Sequence, residues 1–205
     1  MFLAQHRVGP LQNFTYIVAE REGGQGVVID PSYGVEPVLE DIDAHHLKIA
    51  YILNTHSHRD HYAGNQDVRD RTGAKVVAHR NARLDQDLSV DEGDTVATGG
   101  LQVRVLFTPG HTRDSVLYLF DGHVATGDTL FVGECGRVDL PESDPSAMWD
   151  SLLHRVVKLE DALVVLPGHD YGSTPTSTIG RERAENYTLQ PRTKEEFLRF
   201  IGSDA

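Results

Sequence analysis

The chain has 205 residues, a formal net charge of -12, 39% hydrophobic and 24% charged residues, which is enough for one sizeable core and ordinary for a globular domain. The acidic balance excludes nucleic acid and an anionic membrane as principal partners. The N-terminal apolar stretch is too short for a signal peptide, and no apolar run reaches membrane length. A single cysteine, Cys135, excludes an internal disulfide and any multi-cysteine zinc site, and fits a reducing, cytoplasmic setting.

In chain order, residues 2–8 and 13–19 read as strands around the turn Gly9-Pro10, and residues 26–30 (G-V-V-I-D) as a third, closed by Pro31. Val35, Val38, Leu39 and Ile42 have helical spacing. Residues 49–53 form a buried strand, 65–71 a helix ending at Gly73, and 75–78 another strand. The polar, acidic stretch 80–94 reads as loop. Hairpins follow at 95–107, across Thr98-Gly99-Gly100, and at 115–126, across Asp121-Gly122. Residues 144–159 make the strongest helix, with Asp144 as cap, Pro145 in the first turn and Met148, Leu152, Val156 and Leu159 along one face. A strand at 163–166 and helices at 179–187 and 194–201 complete the chain. Two strand-rich halves with helices predict a single domain over residues 1–205, with two sheets packed face to face.

The strand at 49–53 delivers His56, His58, Asp60 and His61 within six residues. On a helix these positions would diverge. In an extended or looped segment positions i, i+2 and i+4 share a side, so His56, His58 and Asp60 aim at one point and His61 at a second beside it. Imidazole and carboxylate ligands suit zinc, iron or manganese. Three later strand ends also present a donor after a glycine: Gly110-His111, Gly127-Asp128 and Gly168-His169. Five histidines and two aspartates are too many for one tetrahedral zinc and suit two metals sharing a carboxylate.

His56-Ser57-His58-Arg59-Asp60-His61, with His111, Asp128 and His169 following in order, resembles the H-x-H-x-D-H pattern of the metallo-β-lactamase superfamily, from about residue 13 to residue 200. The resemblance implies an α/β (α+β) fold, a four-layer αββα sandwich of two mixed sheets with helices outside. It implies that His56, His58 and His111 bind a first metal, that Asp60, His61 and His169 bind a second, and that Asp128 bridges them. Asp60 and Asp128 are thereby the candidate catalytic carboxylates, Asp60 alternatively as a proton shuttle in a one-metal enzyme. An aspartate rather than a cysteine at 128 resembles the thioesterase-type branches.

Gly133-Glu134-Cys135-Gly136-Arg137 resembles the segment with which glyoxalase II-like enzymes and persulfide dioxygenases meet glutathione. Arg137 is a candidate for a substrate carboxylate, or for an ion pair with Asp139 or Glu142, and Cys135 reads as a packing residue. His169-Asp170-Tyr171 resembles the H-E-Y of glyoxalase II and more closely the H-D-Y of persulfide dioxygenases, which makes Tyr171 a candidate substrate donor. The tail, with Ser177-Thr178-Ile179, Glu182, Asn186 and Glu195-Glu196-Phe197, resembles the dioxygenase branch, and the chain is too short for the added helical region of glyoxalase II. The leading expectation is hydrolysis of a glutathione-type thioester by a metal-bound hydroxide, with two divalent ions (Zn, Fe or Mn). The alternative is a persulfide dioxygenase with one Fe(II) on His56, His111 and Asp128. A non-catalytic metal-binding or redox-carrier module is a third. The expected partner is a small thiol conjugate, with a homodimer among the open assemblies.

Overall fold

The computed structural model describes residues 1–202. One sheet contains β1 (Phe2–Val8), β2 (Asn13–Ala19), β3 (Gln25–Ile29), β4 (Lys48–Leu53), β5 (Lys75–His79) and β6 (Leu88–Val90), side by side in that order. The other contains β7 (Thr95–Thr98), β8 (Leu101–Phe107), β9 (Val116–Phe120), β10 (His123–Gly127), β11 (Val164–Pro167) and β12 (Ser177–Thr178), again in sequence order across the sheet. Both sheets are mixed. β1 to β3 pair antiparallel and β3 to β6 parallel, whereas the second sheet is antiparallel except between β10 and β11. A parallel pair needs a crossover, supplied by α1 (Glu36–Ala44) between β3 and β4, and by α2 (Arg59–Tyr62) and α3 (Asn65–Thr72) between β4 and β5.

Alternation of side chains along the strands builds three apolar layers. In β2, Phe14, Tyr16 and Val18 point between the sheets, where they meet Leu53, Val103 and Tyr118, while Ile17 and Ala19 point outward onto Val38 of α1 and Val68 of α3. The outer face of the second sheet is covered by α4 (Pro145–Asp150) with its helical continuation, by α5 (Ile179–Glu185) and by α6 (Lys194–Gly202). Each large aliphatic side chain buried in these layers stabilises the fold by about 1.5–3 kcal/mol relative to exposure. Two buried tyrosines tie the mouths of the strands together: the Tyr16 hydroxyl donates to the Pro167 carbonyl at 2.7 Å and the Tyr118 hydroxyl to the Asn54 carbonyl at 3.0 Å.

The expected helix at 144–159 forms with its cap in place, since Asp144 Oδ1 accepts from the amides of Ser146 and Ala147. It is not uniform. Residues Ser151–Arg155 make a π-helical turn and Val156–Lys158 a 3₁₀ turn, and the change of pitch keeps Met148, Leu152 and Val156 all fully buried. Within the stretch read as loop at 80–94, Leu88–Val90 pairs parallel with β5 as an edge strand; three residues among acidic neighbours are too short to show a period. No helix among the described residues is long and apolar enough to cross a membrane.

Candidate metal centre

All the candidate donors emerge at one edge of the sandwich. Asp30 follows β3, His56 and His58 follow β4, His111 follows β8, Asp128 follows β10 and His169 follows β11. The two sheets meet there directly, through a bridge between Asn13 and His169 and a hydrogen bond from the Phe14 amide to the Gly168 carbonyl at 2.8 Å.

Two groups of donors converge. His56, His58 and His111 form one and Asp60, His61 and His169 the other, each with its donor atoms within 4.8 Å of one another; Asp30, His56 and His61 also lie that close, with Asp30 turned to the outer ring nitrogen of His61. Asp128 lies between them: Oδ1 is 3.2 Å from His61 Nε2, and Oδ2 is 3.4 Å from His111 Nε2 and 3.3 Å from His169 Nε2. Asp60 does not aim at the point shared by His56 and His58, as a period of two would require. The extended backbone ends at His58 and the chain turns into α2, so Asp60 swings to within 3.5 Å of His61 and His169.

Outer partners fix which ring nitrogen points inward. His111 Nδ1 donates to the Arg137 carbonyl at 2.8 Å and His169 Nδ1 to the Leu11 carbonyl at 2.9 Å. His58 Nε2 is bound by Glu142 Oε1 at 2.9 Å, and His61 Nδ1 by Asp30 Oδ2 at 2.9 Å. The Thr55 hydroxyl gives its only hydrogen to Asp30 Oδ2 at 2.6 Å, so at 3.1 Å it accepts from His56 Nδ1. With those tautomers the inward atoms of the first group are His56 Nε2, His58 Nδ1 and His111 Nε2, the last two only 2.9 Å apart. Three lone pairs at such distances repel unless a cation or proton lies among them.

The charges agree with that arrangement. Burial pushes His56 well below the usual imidazole range, aided by the positive character of His61, and burial likewise lowers His111. Neutral imidazole is the form that ligates metal. His61 behaves oppositely: burial works to lower it, but the carboxylates of Asp128 and Asp30 outweigh burial and hold it well above. Burial alone would raise Asp128, yet His61 and His169 hold it well below the carboxylate range. Asp128 Oδ1 is buried and has no hydrogen-bond partner among the described residues. An orphaned carboxylate oxygen facing convergent imidazole nitrogens is a donor set that fits a divalent transition metal.

The turns are tailored to this crowding. A Cβ on Gly168 would overlap Asp128 Oδ1 and lie 2.9 Å from His61 Cε1, so only glycine lets β11 present His169 so close. Asp30 adopts a left-handed conformation, φ 49°, and this strained backbone aims both carboxylate oxygens at Thr55 and His61.

Arg137 stands apart from the donors: its guanidinium forms a two-pronged pair with Asp139, both bonds 2.6 Å, and its side chain is 65% exposed. Tyr171 lies at the mouth, its ring stacked on His169 with centroids 4.6 Å apart and against Phe131 at 5.5 Å. Cys135 is buried in the layer under α4, and burial pushes its thiol up to about 12. Sequence reasoning missed Asp30, Asn13 and Glu142. An aspartate ending a strand just before Pro31 is a signal for Asp30. Asn13, whose side-chain amide donates to Asp60 Oδ2 at 2.8 Å, and Glu142 carry no local signal.

The profile of the metallo-beta-lactamase superfamily matches residues 8–85 and 82–169. The hydroxyacylglutathione hydrolase of Rhodospirillum rubrum is 38% identical over 98% of this chain and 76% of its own length. The mitochondrial persulfide dioxygenase ETHE1 of Homo sapiens is 31% identical over 93% of this chain and 76% of its own. The crystal structure of ETHE1 from Myxococcus xanthus superposes with a TM-score of 0.92 at 34% identity, covering 98% of this chain and 90% of that one. With its two mixed sheets, its outer helices and its edge of histidines and aspartates, the chain belongs to the metallo-beta-lactamase superfamily.

Proposed function

We propose that the protein is a cytoplasmic metal-dependent hydrolase of a glutathione-type thioester. The observation that carries this reading is the pair of complete donor groups meeting at Asp128, a set physically sufficient for two ions. His56, His58 and His111 would hold one divalent ion, Asp60, His61 and His169 a second, and Asp128 would lie across both. Such ions supply a water ionised near neutral pH and a Lewis acid for the thioester carbonyl. The chain's own residues set the stage for that chemistry. Thr55, Asp30, Glu142 and the carbonyls of Leu11 and Arg137 fix the imidazole tautomers, and Asn13 steadies Asp60. At the rim, Arg137 exchanges Asp139 for a carboxylate of the thiol carrier, and the Tyr171 hydroxyl donates to the carrier's peptide part.

A second reading is a persulfide dioxygenase with one Fe(II) on His56, His111 and Asp128. It is favoured by His169-Asp170-Tyr171 and by the likeness to the human and Myxococcus xanthus proteins. The deciding experiment gives two assays to the same iron- or zinc-loaded preparation: release of free thiol from a hydroxyacyl-glutathione thioester, and oxygen uptake with glutathione persulfide. Thiol release without uptake is expected. Uptake coupled to sulfite formation would replace the hydrolase by the dioxygenase, and turnover in neither assay would leave a metal-binding module.

A further inference from the structure

The segment between Phe131 and Asp144 supplies the orienting group for two of the three histidines in the first donor group. Its Arg137 carbonyl takes His111 Nδ1–H, its Glu142 carboxylate takes His58 Nε2–H, and its Ser143 hydroxyl donates to the His111 carbonyl at 2.7 Å. A loop can hold an imidazole only as firmly as the loop itself is held. Its anchor lies outside the centre, in α5 and the turn after it.

Glu182 is 2% exposed. Its Oε2 accepts from the Gly133 amide at 2.7 Å and from Asn186 Nδ2 at 2.8 Å, and Asn186 Nδ2 also donates to the Glu134 carbonyl at 3.1 Å. Asn186 is locked in turn, because its Oδ1 accepts from the Thr188 amide and hydroxyl at 2.9 and 2.7 Å. Three residues beyond Gly133, Gly136 lies against the Asp128 carbonyl so closely that a Cβ would not fit. The stretch that carries the Arg137 carbonyl is thus held at two points, at Gly133 by Glu182 and at Gly136 by its packing on Asp128.

We propose that Glu182, with Asn186, is a positioning residue for the first donor group: it acts through the loop and the Arg137 carbonyl on His111, and touches neither the donors nor a substrate. This rests on the metal reading above. The charge of Glu182 is not what matters; a single oxygen accepting both bonds is. Gln at 182 can place its carbonyl oxygen where Oε2 stands, Asp is one methylene too short, and Ala leaves the Gly133 amide unpaired.

The test is Co(II) titration, followed by visible absorption, of Glu182→Ala, Glu182→Asp and Glu182→Gln in a His169→Ala background that isolates the first group. The expected result is a loss of Co(II) affinity of about 10–100-fold in Glu182→Ala, a smaller loss in the better-packed Glu182→Asp, and near-parental affinity in Glu182→Gln. Lower thermal stability with unchanged Co(II) affinity in both Ala and Asp variants would make Glu182 a structural residue and overturn the proposal. If the parent itself takes up no Co(II), the metal reading fails instead. The brace is then read in the metal-free chain from the His111 Nδ1–H proton resonance: its loss in Glu182→Ala and return in Glu182→Gln support the brace, and its survival in Glu182→Ala overturns it.

Discussion

The two donor groups are alike in number and differ in what stands behind them. The second group is braced by the sheet: Asp30 at the end of β3 holds His61, Asn13 in β2 holds Asp60, and the Leu11 carbonyl in the adjoining turn holds His169. In the first group only His56 is braced by the sheet, through Thr55; His58 and His111 depend on the segment after Asp128. One half of the centre is thus oriented mainly by strands and the turn between β1 and β2, and the other mainly by a single loop and its anchor. Rigid elements hold donors more accurately than loops do.

Removing what the halves share should have the largest effect. Asp128→Ala is expected to lower kcat/KM at least about 10³-fold, roughly 4 kcal/mol of transition-state stabilisation, with both groups losing affinity. A variant that keeps one group at full affinity would show that Asp128 does not couple them. Next comes the sheet-side brace against the loop-side one. Asp30→Ala strands the Thr55 amide and hydroxyl and the His61 Nδ1–H, a loss of about 3 kcal/mol or more. A thermal midpoint lower by about 6–12 °C is expected. Glu142→Gln should leave that midpoint within about 1 °C, since this carboxylate is at the surface, and should weaken metal binding only at the first group. Equal destabilisation by the two would dissolve the comparison.

Protons give a finer test. His61 is held well above the usual imidazole range by Asp128 and Asp30, so in the metal-free chain it is protonated at neutrality, and a metal must displace that proton. Affinity at the second group should therefore rise with pH from 6 to 8, with proton release measurable by calorimetry in buffers of different ionisation enthalpy. His56 and His111 are pushed down by burial, so neither carries a proton that a metal must displace, and the slope at the first group should be the shallower of the two. Identical slopes would contradict the assignment of charge. The smallest effects are expected at the rim. Arg137→Ala, beside the first group, and Tyr171→Phe, above the second, should each raise KM about 3–10-fold with kcat changed less, the signature of binding lost equally in ground and transition states. Unchanged KM in both would return Arg137 to its pair with Asp139 and Tyr171 to its stacking on His169.

Much of this arrangement was legible in the sequence, because strand ends and glycine turns are local signals. The pattern of an apolar run, a glycine and a donor located His111, Asp128 and His169, and apolar runs between turn residues located most strands of both sheets. What failed did so for physical reasons. The period of two that grouped Asp60 with His56 and His58 holds only while the backbone stays extended, and α2 begins at Arg59. The braces are invisible locally because they are contacts across the chain: Glu142 is 84 residues from His58 and Asn13 is 47 from Asp60. Glu182 and Asn186 stood out only by resemblance, and their hydrogen bonds to Gly133 and Glu134 supply the physical reason.

Two donor groups joined at Asp128 are expected to hold two metal ions. Equilibrium titration of the metal-free chain with Zn(II) tests this most directly. Two ions per chain are expected, falling to one in His169→Ala and in His111→Ala, with a different group emptied in each. A plateau at one ion per chain that His169→Ala leaves unchanged would contradict it, and would leave a single centre on the first group alone.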